Sequence, residues 1–259
     1  VGAGASHLVV GHQQPHEQFE VALAAFTGRD RALLFSSGYM ANLGVLKALL
    51  AKDDVIIQDK LNHASLIDGG LASGAQLLRY RHNDLDHLEQ LLTQSAIADR
   101  GARKILAVDG VFSMDGDIAP LDTLADICNK HDVALMVDDA HGFGVLGEQG
   151  AGCSEHFGLD QQRLPIIMGT LGKAFGVSGA FVAGSHEMIE TLIQFSRTYI
   201  YTTALPPACA SAALQSLSII KEQPERRKHL HDLIVYFRKA INDLDFNVLP
   251  STTAIQPII

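Results

Sequence analysis

The stretch VALMVDDAHGFG, residues 133–144, predicts a buried strand that ends in a polar, glycine-rich loop. Five apolar residues follow one another and then give way to two aspartates and a histidine. An uninterrupted apolar run of this length is typical of a strand in a parallel sheet covered on both faces. Ligands of such sheets bind beyond the carboxyl ends of the strands, so Asp138 and His141 are candidates for a functional site.

Comparable apolar runs recur on both sides of this stretch and alternate with helical patterns. Such alternation predicts an α/β fold. Its sheet is expected to be mostly parallel, of the seven-stranded type, with helices on both faces. Two long helices are expected after the sheet, at 207–221 and 224–244. The other predicted strands are 32–35, 54–59, 76–80, 104–112, 164–170 and 179–185.

Three regions are expected along the chain. Residues 1–30 are expected to be an incomplete N-terminal segment, because VGAGASHLVVG shows no helix or strand start of its own. Residues 31–222 are expected to form the large, ligand-binding domain. Residues 223–259 are expected to begin a smaller C-terminal domain, most of which the chain does not include.

Composition narrows the classes of protein to consider. The chain has 259 residues, 47% of them hydrophobic and 19% charged, which is typical of a folded globular protein. Its net charge of −9 argues against nucleic acid or an anionic membrane as a partner. No apolar run is long enough to predict a membrane span. The three cysteines lack metal-site spacing, which predicts a cytoplasmic protein with reduced thiols and no metal centre.

Two glycine motifs invite a nucleotide-binding interpretation, and both fail. Around Gly172 and Lys173 a P-loop would need an earlier glycine where Ile167 lies, and a hydroxyl residue in place of Ala174. GFGVLG, residues 142–147, matches the dinucleotide pattern, but no periodic helix or acidic strand end follows it.

Lys173 lies in GTLGKAFGVSG, residues 169–179, between apolar stretches that predict burial. Burial lowers the pKa of an amine and makes it a nucleophile toward a carbonyl. Asp138 ends a strand 35 positions earlier, and a carboxylate there suits the pyridine nitrogen of pyridoxal phosphate. The alternatives are a surface lysine in a turn and an aspartate that caps a helix or orders a loop.

Other residues suggest contacts for the rest of such a cofactor. Gly38 and Tyr39 open a predicted helix whose free N–H groups attract a phosphate, to which Thr170 can add a hydroxyl. His63 can lie flat on a cofactor ring. The alternatives are an ordinary helix start capped by Ser36 or Ser37, and a histidine that caps its own helix.

Four stretches together resemble one enzyme family, the α-oxoamine synthases, a branch of the fold-type-I pyridoxal-phosphate enzymes. They are LNHASLIDG (61–69), FSMDGDIAPL (112–121), MVDDAHGFGVLGEQG (136–150) and TLGKAFGVSG (170–179). The resemblance implies the large domain of the fold-type-I transferases, pyridoxal 5'-phosphate and a homodimer. It also implies an acyltransferase that condenses an amino acid with an acyl thioester and releases CO2, with coenzyme A or a carrier protein as the thiol. L-Alanine and a pimeloyl thioester are the expected substrates.

The resemblance also implies roles for single residues. Lys173 holds the cofactor and moves protons, and Asp138 pairs with the pyridine nitrogen. His63 stacks on the ring, which makes these three the expected catalytic residues. The remaining expected cofactor contacts are His141 and Ser113 near the phenolic oxygen, Gly38, Tyr39 and Thr170 at the phosphate, and Thr202 or Thr203 at the partner subunit's phosphate.

The sequence departs from the family at the substrate entrance, where His7 and Val10 replace an arginine and a serine that are common there. Asp109 replaces a common glutamate. Three other functions remain open: another α-oxoamine synthase that uses glycine or serine, an aminotransferase of the same fold, and a non-catalytic homologue. Retention of Lys173 argues against the last.

Overall fold

The computed structural model describes residues 2–94 and 102–259 and is built around a seven-stranded sheet. The strand order is β1-β7-β6-β5-β4-β2-β3. The expected N-terminal segment begins with Val1, which lies outside the described residues. The strands are β1 Arg31–Phe35, β2 Val55–Asp59, β3 Gln76–Tyr80, β4 Lys104–Asp109, β5 Ala134–Asp138, β6 Ile166–Thr170 and β7 Ala180–Gly184.

The helices follow the predicted alternation after the first strand. One of them, Leu85–Leu92, is capped by Asp84, whose carboxylate accepts the His87 N–H at 2.8 Å. The helices are α1 Gln14–Thr27, α2 Gly38–Leu49, α3 Ala64–Ser73, α4 Leu85–Leu92, α5 Leu121–His131, α6 Cys153–His156, α7 His186–Phe195, α8 Arg197–Ile200, α9 Pro207–Glu222 and α10 Glu225–Ile241.

The predicted mostly parallel sheet is confirmed, with one strand reversed. β7 pairs antiparallel with both β6 and β1, whereas β6, β5, β4, β2 and β3 pair in parallel. The chain therefore passes from β6 to β7 by a hairpin connection, residues 171–179, instead of a crossover helix. That connection lies at the carboxyl edge of the parallel strands, and it carries Lys173.

Apolar residues fill both faces of the sheet, as expected for buried parallel strands. Adjacent residues of β2 point to opposite faces: Ile57 packs with the cluster under α4 and α5, and Ile56 packs with the cluster under α2 and α3. A third cluster joins α1 and α9 to β1 and β7, with Phe19 and Phe181 fully buried. Each helix next to the site is thus fixed by a buried apolar face.

The expectation that VGAGASHLVVG, residues 1–11, contains no helix start is wrong. A single π-helical turn forms at His7–Gly11, and α1 follows it. The α1 start escaped prediction because Gln13, not a serine, threonine, asparagine or aspartate, is its N-cap. The Gln13 N–H donates to His16 Nδ1 at 3.0 Å, and a proline occupies the first turn.

Gly44 allows α2 to approach α8 closely. A Cβ added at this position would overlap the hydroxyl oxygens of Ser196 and Thr198, and the ring of Phe35 is 3.3 Å away. Gly38, at the start of the same helix, has room for a methyl group, since its nearest neighbour is the Met168 side chain at 3.5 Å. The two glycines therefore differ in packing, although both lie in α2.

We expect Gly44→Ala to lower the free energy of unfolding by about 1–3 kcal/mol, because overpacking displaces α8. Gly38→Ala is the matched control and should change it by less than about 1 kcal/mol. Urea unfolding of both variants measures the difference. Equal stabilities for the two variants would contradict the proposed close approach of α2 and α8.

Candidate functional site

A cavity of about 190 Å³ at the carboxyl edge of the sheet brings together most of the predicted site residues. It lies where α2, α3, β4, β5 and β6 meet. Of the predicted residues, only Thr202 and Thr203, the two alternatives for the contact with the partner subunit's phosphate, do not line it. The lining residues are Gly38, Tyr39, His63, Ser65, Asp109, Ser113, Asp138, Ala140, His141, Met168, Thr170 and Lys173.

Two buried carboxyl groups form the floor of the cavity. Asp109 and Asp138 end the adjacent parallel strands β4 and β5 and are register partners, 5% and 4% exposed. Asp138 accepts hydrogen bonds from Asn42 Nδ2 at 2.7 Å and from the Ala140 N–H at 3.0 Å. Asp109 accepts one from the His63 N–H at 2.6 Å.

Burial and mutual repulsion favour the protonated forms of these acids. Burial, followed by the charge of Asp138, raises the pKa of Asp109 to about 8. Burial also raises the pKa of Asp138, although the hydrogen bonds from Asn42 and Ala140 oppose this shift. A cationic group placed between them would relieve the repulsion, so the floor suits a protonated nitrogen of a ligand.

Lys173 lies opposite this floor, with its Nζ 2.7 Å from His141 Nε2. The prediction that Lys173 is buried is wrong: it is exposed in this chain, like Gly172 and Ala174, because the 171–179 connection lies at the sheet edge. Loss of solvent around its amine still lowers the pKa of Lys173, against the attraction of the two aspartates.

His141 is neutral near pH 7. Burial, followed by the charge of Lys173, lowers the pKa of His141 to about 4. An unprotonated ring nitrogen can accept a hydrogen bond from the Lys173 ammonium group. The pair thus holds the amine of Lys173 in place without adding a second positive charge.

The first turn of α2 lines the cavity through Gly38 and Tyr39. Ser37 is the cap and accepts the Met40 N–H at 3.3 Å, so the capping alternative is correct for this residue. The N–H groups of Gly38 and Tyr39 precede the intrahelical bonds and remain suited to an anion. Thr170 also lines the cavity, and its hydroxyl donates to the Gly179 carbonyl at 3.2 Å.

Of the remaining predicted residues, Ser113 and His63 line the cavity and Thr203 lies outside it. Ser113 is half-buried in the loop after β4, and His63 is exposed at the cavity rim. The capping alternative also holds for His63, whose Nδ1 accepts the Ser65 N–H at 3.2 Å. Thr203 is exposed outside the cavity, and its carbonyl accepts the Ser36 hydroxyl at 3.2 Å.

Sequence analysis missed Asn42 and Ser65, which are 0% and 1% exposed and connect the site residues to one another. The available signal was a polar side chain within the apolar stripe of α2. Its partner Asp138 is 96 positions away, so the local sequence could not identify the contact.

The described residues contain neither a metal-binding cluster nor a helix able to span a membrane. Within 2–94 and 102–259, no group of three or more histidine, cysteine, aspartate or glutamate side chains is arranged to hold a metal ion. In the same part of the chain, no helix combines the length and apolar character needed to cross a bilayer.

The sequence as a whole is similar to known enzymes. The family model described as aminotransferase class I and II matches residues 2–259. Curated proteins named 8-amino-7-oxononanoate synthase from Hahella chejuensis and Alcanivorax borkumensis are each 58% identical over the whole chain. The chain covers 64% and 66% of these relatives, so it spans less than two thirds of their length.

Solved structures of two enzymes also align with nearly the whole chain. Serine palmitoyltransferase from S. paucimobilis, with a bound PLP–myriocin aldimine, aligns at a TM-score of 0.94 with 32% identity, over 100% of this chain and 66% of that one. 8-Amino-7-oxononanoate synthase from Francisella tularensis aligns at 0.82 with 38% identity, over 95% of this chain and 70% of that one.

We expect Asp109 and Asp138 to contribute stability to the cofactor-free protein that is lost as pH rises from about 5 to about 8, because the folded state keeps protons on these acids that the unfolded state releases. Asp109→Asn should reduce the slope of unfolding free energy against pH by up to about 1.4 kcal/mol per pH unit, the contribution of one proton. Urea unfolding across this pH range measures the slope.

The control is Asp84→Asn at the half-buried cap of α4, where hydrogen bonds from the His87 N–H and the Arg81 side chain lower the pKa of Asp84. This variant should keep the slope of the unchanged protein. If Asp109→Asn also keeps that slope, the repulsion between the two buried acids is not what governs it.

Proposed function

Because the chain belongs to the aminotransferase class I and II family, we propose that it is the cofactor-binding part of a pyridoxal-phosphate-dependent acyltransferase. The proposed reaction condenses L-alanine with a pimeloyl thioester and yields 8-amino-7-oxononanoate, CO2 and the free thiol carrier, as a step of biotin biosynthesis. The observation that supports it most is one cavity lined by the Lys173 amine and the Asp138 carboxylate.

The donor set of the cavity fits pyridoxal phosphate at each of its polar positions. The first turn of α2 at Gly38 and Tyr39, with the Thr170 hydroxyl, suits the phosphate. The buried Asp138 carboxylate suits a protonated pyridine nitrogen, and the Lys173 amine suits the aldehyde carbon. When bound, this cofactor supplies a sink for the negative charge that develops on the α-carbon of an amino acid.

We assign Lys173 two roles. Its amine would hold the cofactor, and the same amine, when free, would remove the α-proton of the bound amino acid and later return a proton. Its lowered pKa supports the second role, since a larger share of the amine is then unprotonated near neutral pH. His141, 2.7 Å from Nζ, orients the amine, and with Ser113 it would contact the phenolic oxygen of the cofactor.

Asp138 and His63 act on the cofactor ring. The Asp138 carboxylate would accept the pyridine N–H and keep that nitrogen positively charged, which would make the ring a stronger electron sink. Its two hydrogen bonds, from Asn42 and Ala140, hold the ionised carboxylate in place. His63 lies at the rim, where its ring can cover the face of the cofactor.

The finer points of the proposal concern the whole protein. We propose a homodimer in which Thr203, exposed outside its own cavity, contacts the phosphate held by the partner subunit. We propose residues 31–222 as the cofactor-binding domain and 223–259 as the start of a second one. We also propose a cytoplasmic location, which the three free cysteines support.

Two related functions are separate candidates. A serine palmitoyltransferase type of condensation is favoured by the TM-score of 0.94, whereas the 58% identity to named 8-amino-7-oxononanoate synthases favours alanine. An aminotransferase would use the same lysine and carboxylate. The acyl carrier is proposed to be either coenzyme A or a carrier protein.

We expect reduction with borohydride in the presence of pyridoxal phosphate to attach one cofactor to the peptide that contains Lys173. Lys173→Ala should abolish both this adduct and the visible absorbance of the bound cofactor, because no other amine among the described residues lines the cavity. Mass spectrometry of the digested protein locates the adduct. Lys221→Ala, an exposed lysine at the end of α9, is the control and should label like the unchanged protein.

We expect CO2 release with L-alanine and pimeloyl-coenzyme A to exceed that with glycine or L-serine by at least about tenfold, the effect of about 1.4 kcal/mol in transition-state binding. Release of labelled CO2 from each pair measures this preference. Amino transfer to a keto acid without CO2 would instead favour an aminotransferase. Preference for L-serine with a long acyl thioester would favour the serine palmitoyltransferase type.

A further inference from the structure

A continuous chain of hydrogen bonds joins His63 to Asp138 through the two residues that sequence analysis missed. Asn42 Nδ2 lies 2.7 Å from Asp138 Oδ2 and 2.9 Å from Ser65 Oγ. Ser65 Oγ in turn lies 2.7 Å from His63 Nδ1. Three elements, α2, α3 and β5, therefore meet in a single polar network below the cavity.

The amide of Asn42 has only one chemically reasonable orientation in this network. An ionised Asp138 can only accept hydrogen bonds, so the NH2 group and not the carbonyl must face it. That group has two hydrogens, and both are used, one by Asp138 and one by Ser65. Asn42 therefore cannot accept a hydrogen from the Ser65 hydroxyl through this nitrogen.

The direction of the Ser65 hydroxyl follows from that count. Ser65 Oγ accepts from Asn42 and keeps one hydrogen of its own, for which His63 Nδ1 is the partner within reach. The Ser65 backbone N–H also points to His63 Nδ1, at 3.2 Å. His63 Nδ1 is thus an acceptor, and neutral His63 carries its proton on Nε2.

The network lowers the stability of the fold, and a purely structural role does not explain why it is present. Asn42 is fully buried beside Ala41 and Val45, and its Oδ1 has no hydrogen-bond partner among the described residues. A buried amide oxygen without a partner destabilises a fold, and an apolar side chain of similar size would avoid this cost.

We propose that Asn42 and Ser65 are positioning residues that fix the Nε2–H tautomer and the ring orientation of His63 relative to the Asp138 carboxylate. The meaning of this arrangement for catalysis rests on the proposed function, because it couples the ring-stacking residue to the residue that pairs with the cofactor nitrogen. The tautomer itself is a property of this chain alone. It can therefore be tested without the cofactor.

The test is nitrogen NMR of the histidine side chains in the cofactor-free protein, at a pH above the raised pKa values of the two aspartates. The signal of His63 is assigned by its loss in His63→Gln. The unchanged protein should show His63 protonated on Nε2. Ser65→Ala should shift His63 toward a mixture of tautomers, because the hydroxyl donor to Nδ1 is gone.

Asn42→Asp should change the His63 tautomer differently from Ser65→Ala, because it reverses the direction of the hydrogen bonds instead of removing one. An aspartate at position 42 would share one proton with the neighbouring Asp138 and could still accept the Ser65 hydrogen. Ser65 Oγ would then accept from His63, and the His63 proton should shift from Nε2 toward Nδ1, against the donation from the Ser65 N–H. Ser73→Ala is the matched control in α3, because its hydroxyl donates only to the Gly70 carbonyl, at 2.6 Å, and is remote from His63. It should leave the His63 tautomer unchanged.

A His63 protonated on Nδ1 in the unchanged protein, or a tautomer unaffected by Ser65→Ala, would overturn the proposal. Ser65→Ala removes a single hydroxyl and decides the question if Asn42→Asp does not fold. Binding of pyridoxal phosphate to the unchanged protein is measured separately. Failure to bind would count against the proposed function, whereas the tautomer result would remain valid.

Discussion

The repulsion between two buried carboxyl groups is the constraint on which the site depends. Strand register places Asp109 beside Asp138 at the end of the sheet, where neither is solvated. Two such groups cannot both ionise without compensation. The surroundings supply donors from Asn42, His63 and Ala140, and the Lys173 amine lies across the cavity. A ligand with a protonated ring nitrogen completes this compensation.

The reversed strand β7 explains how the lysine comes to face these acids. The parallel strands β4 and β5 deliver the carboxyl groups to one edge, and β6 ends at the same edge. Because β7 returns antiparallel, the chain turns at this edge instead of leaving it through a crossover helix. The short 171–179 connection therefore keeps Lys173 over the cavity, with His141 against its amine.

The sequence predicted this architecture well where local signals are strong. Each strand from β1 to β7 was anticipated from its apolar run, and so was the edge at which the site lies. Burial of Lys173 was predicted wrongly, because apolar neighbours along the chain do not reveal that a hairpin lies at an edge. Helix α1 was missed because its cap is an uncommon one. Asn42 and Ser65 were missed because their function depends on contacts between distant segments.

The central claim is that one small molecule contacts Lys173 and Asp138 at the same time. A crystal structure of the chain grown with pyridoxal phosphate tests it most directly. We predict density continuous with Lys173 Nζ, a ring nitrogen within hydrogen-bond distance of the Asp138 carboxylate, and a phosphate at the first turn of α2. A cofactor bound elsewhere, or a ring whose nitrogen faces away from Asp138 while Lys173 remains free, would contradict the account.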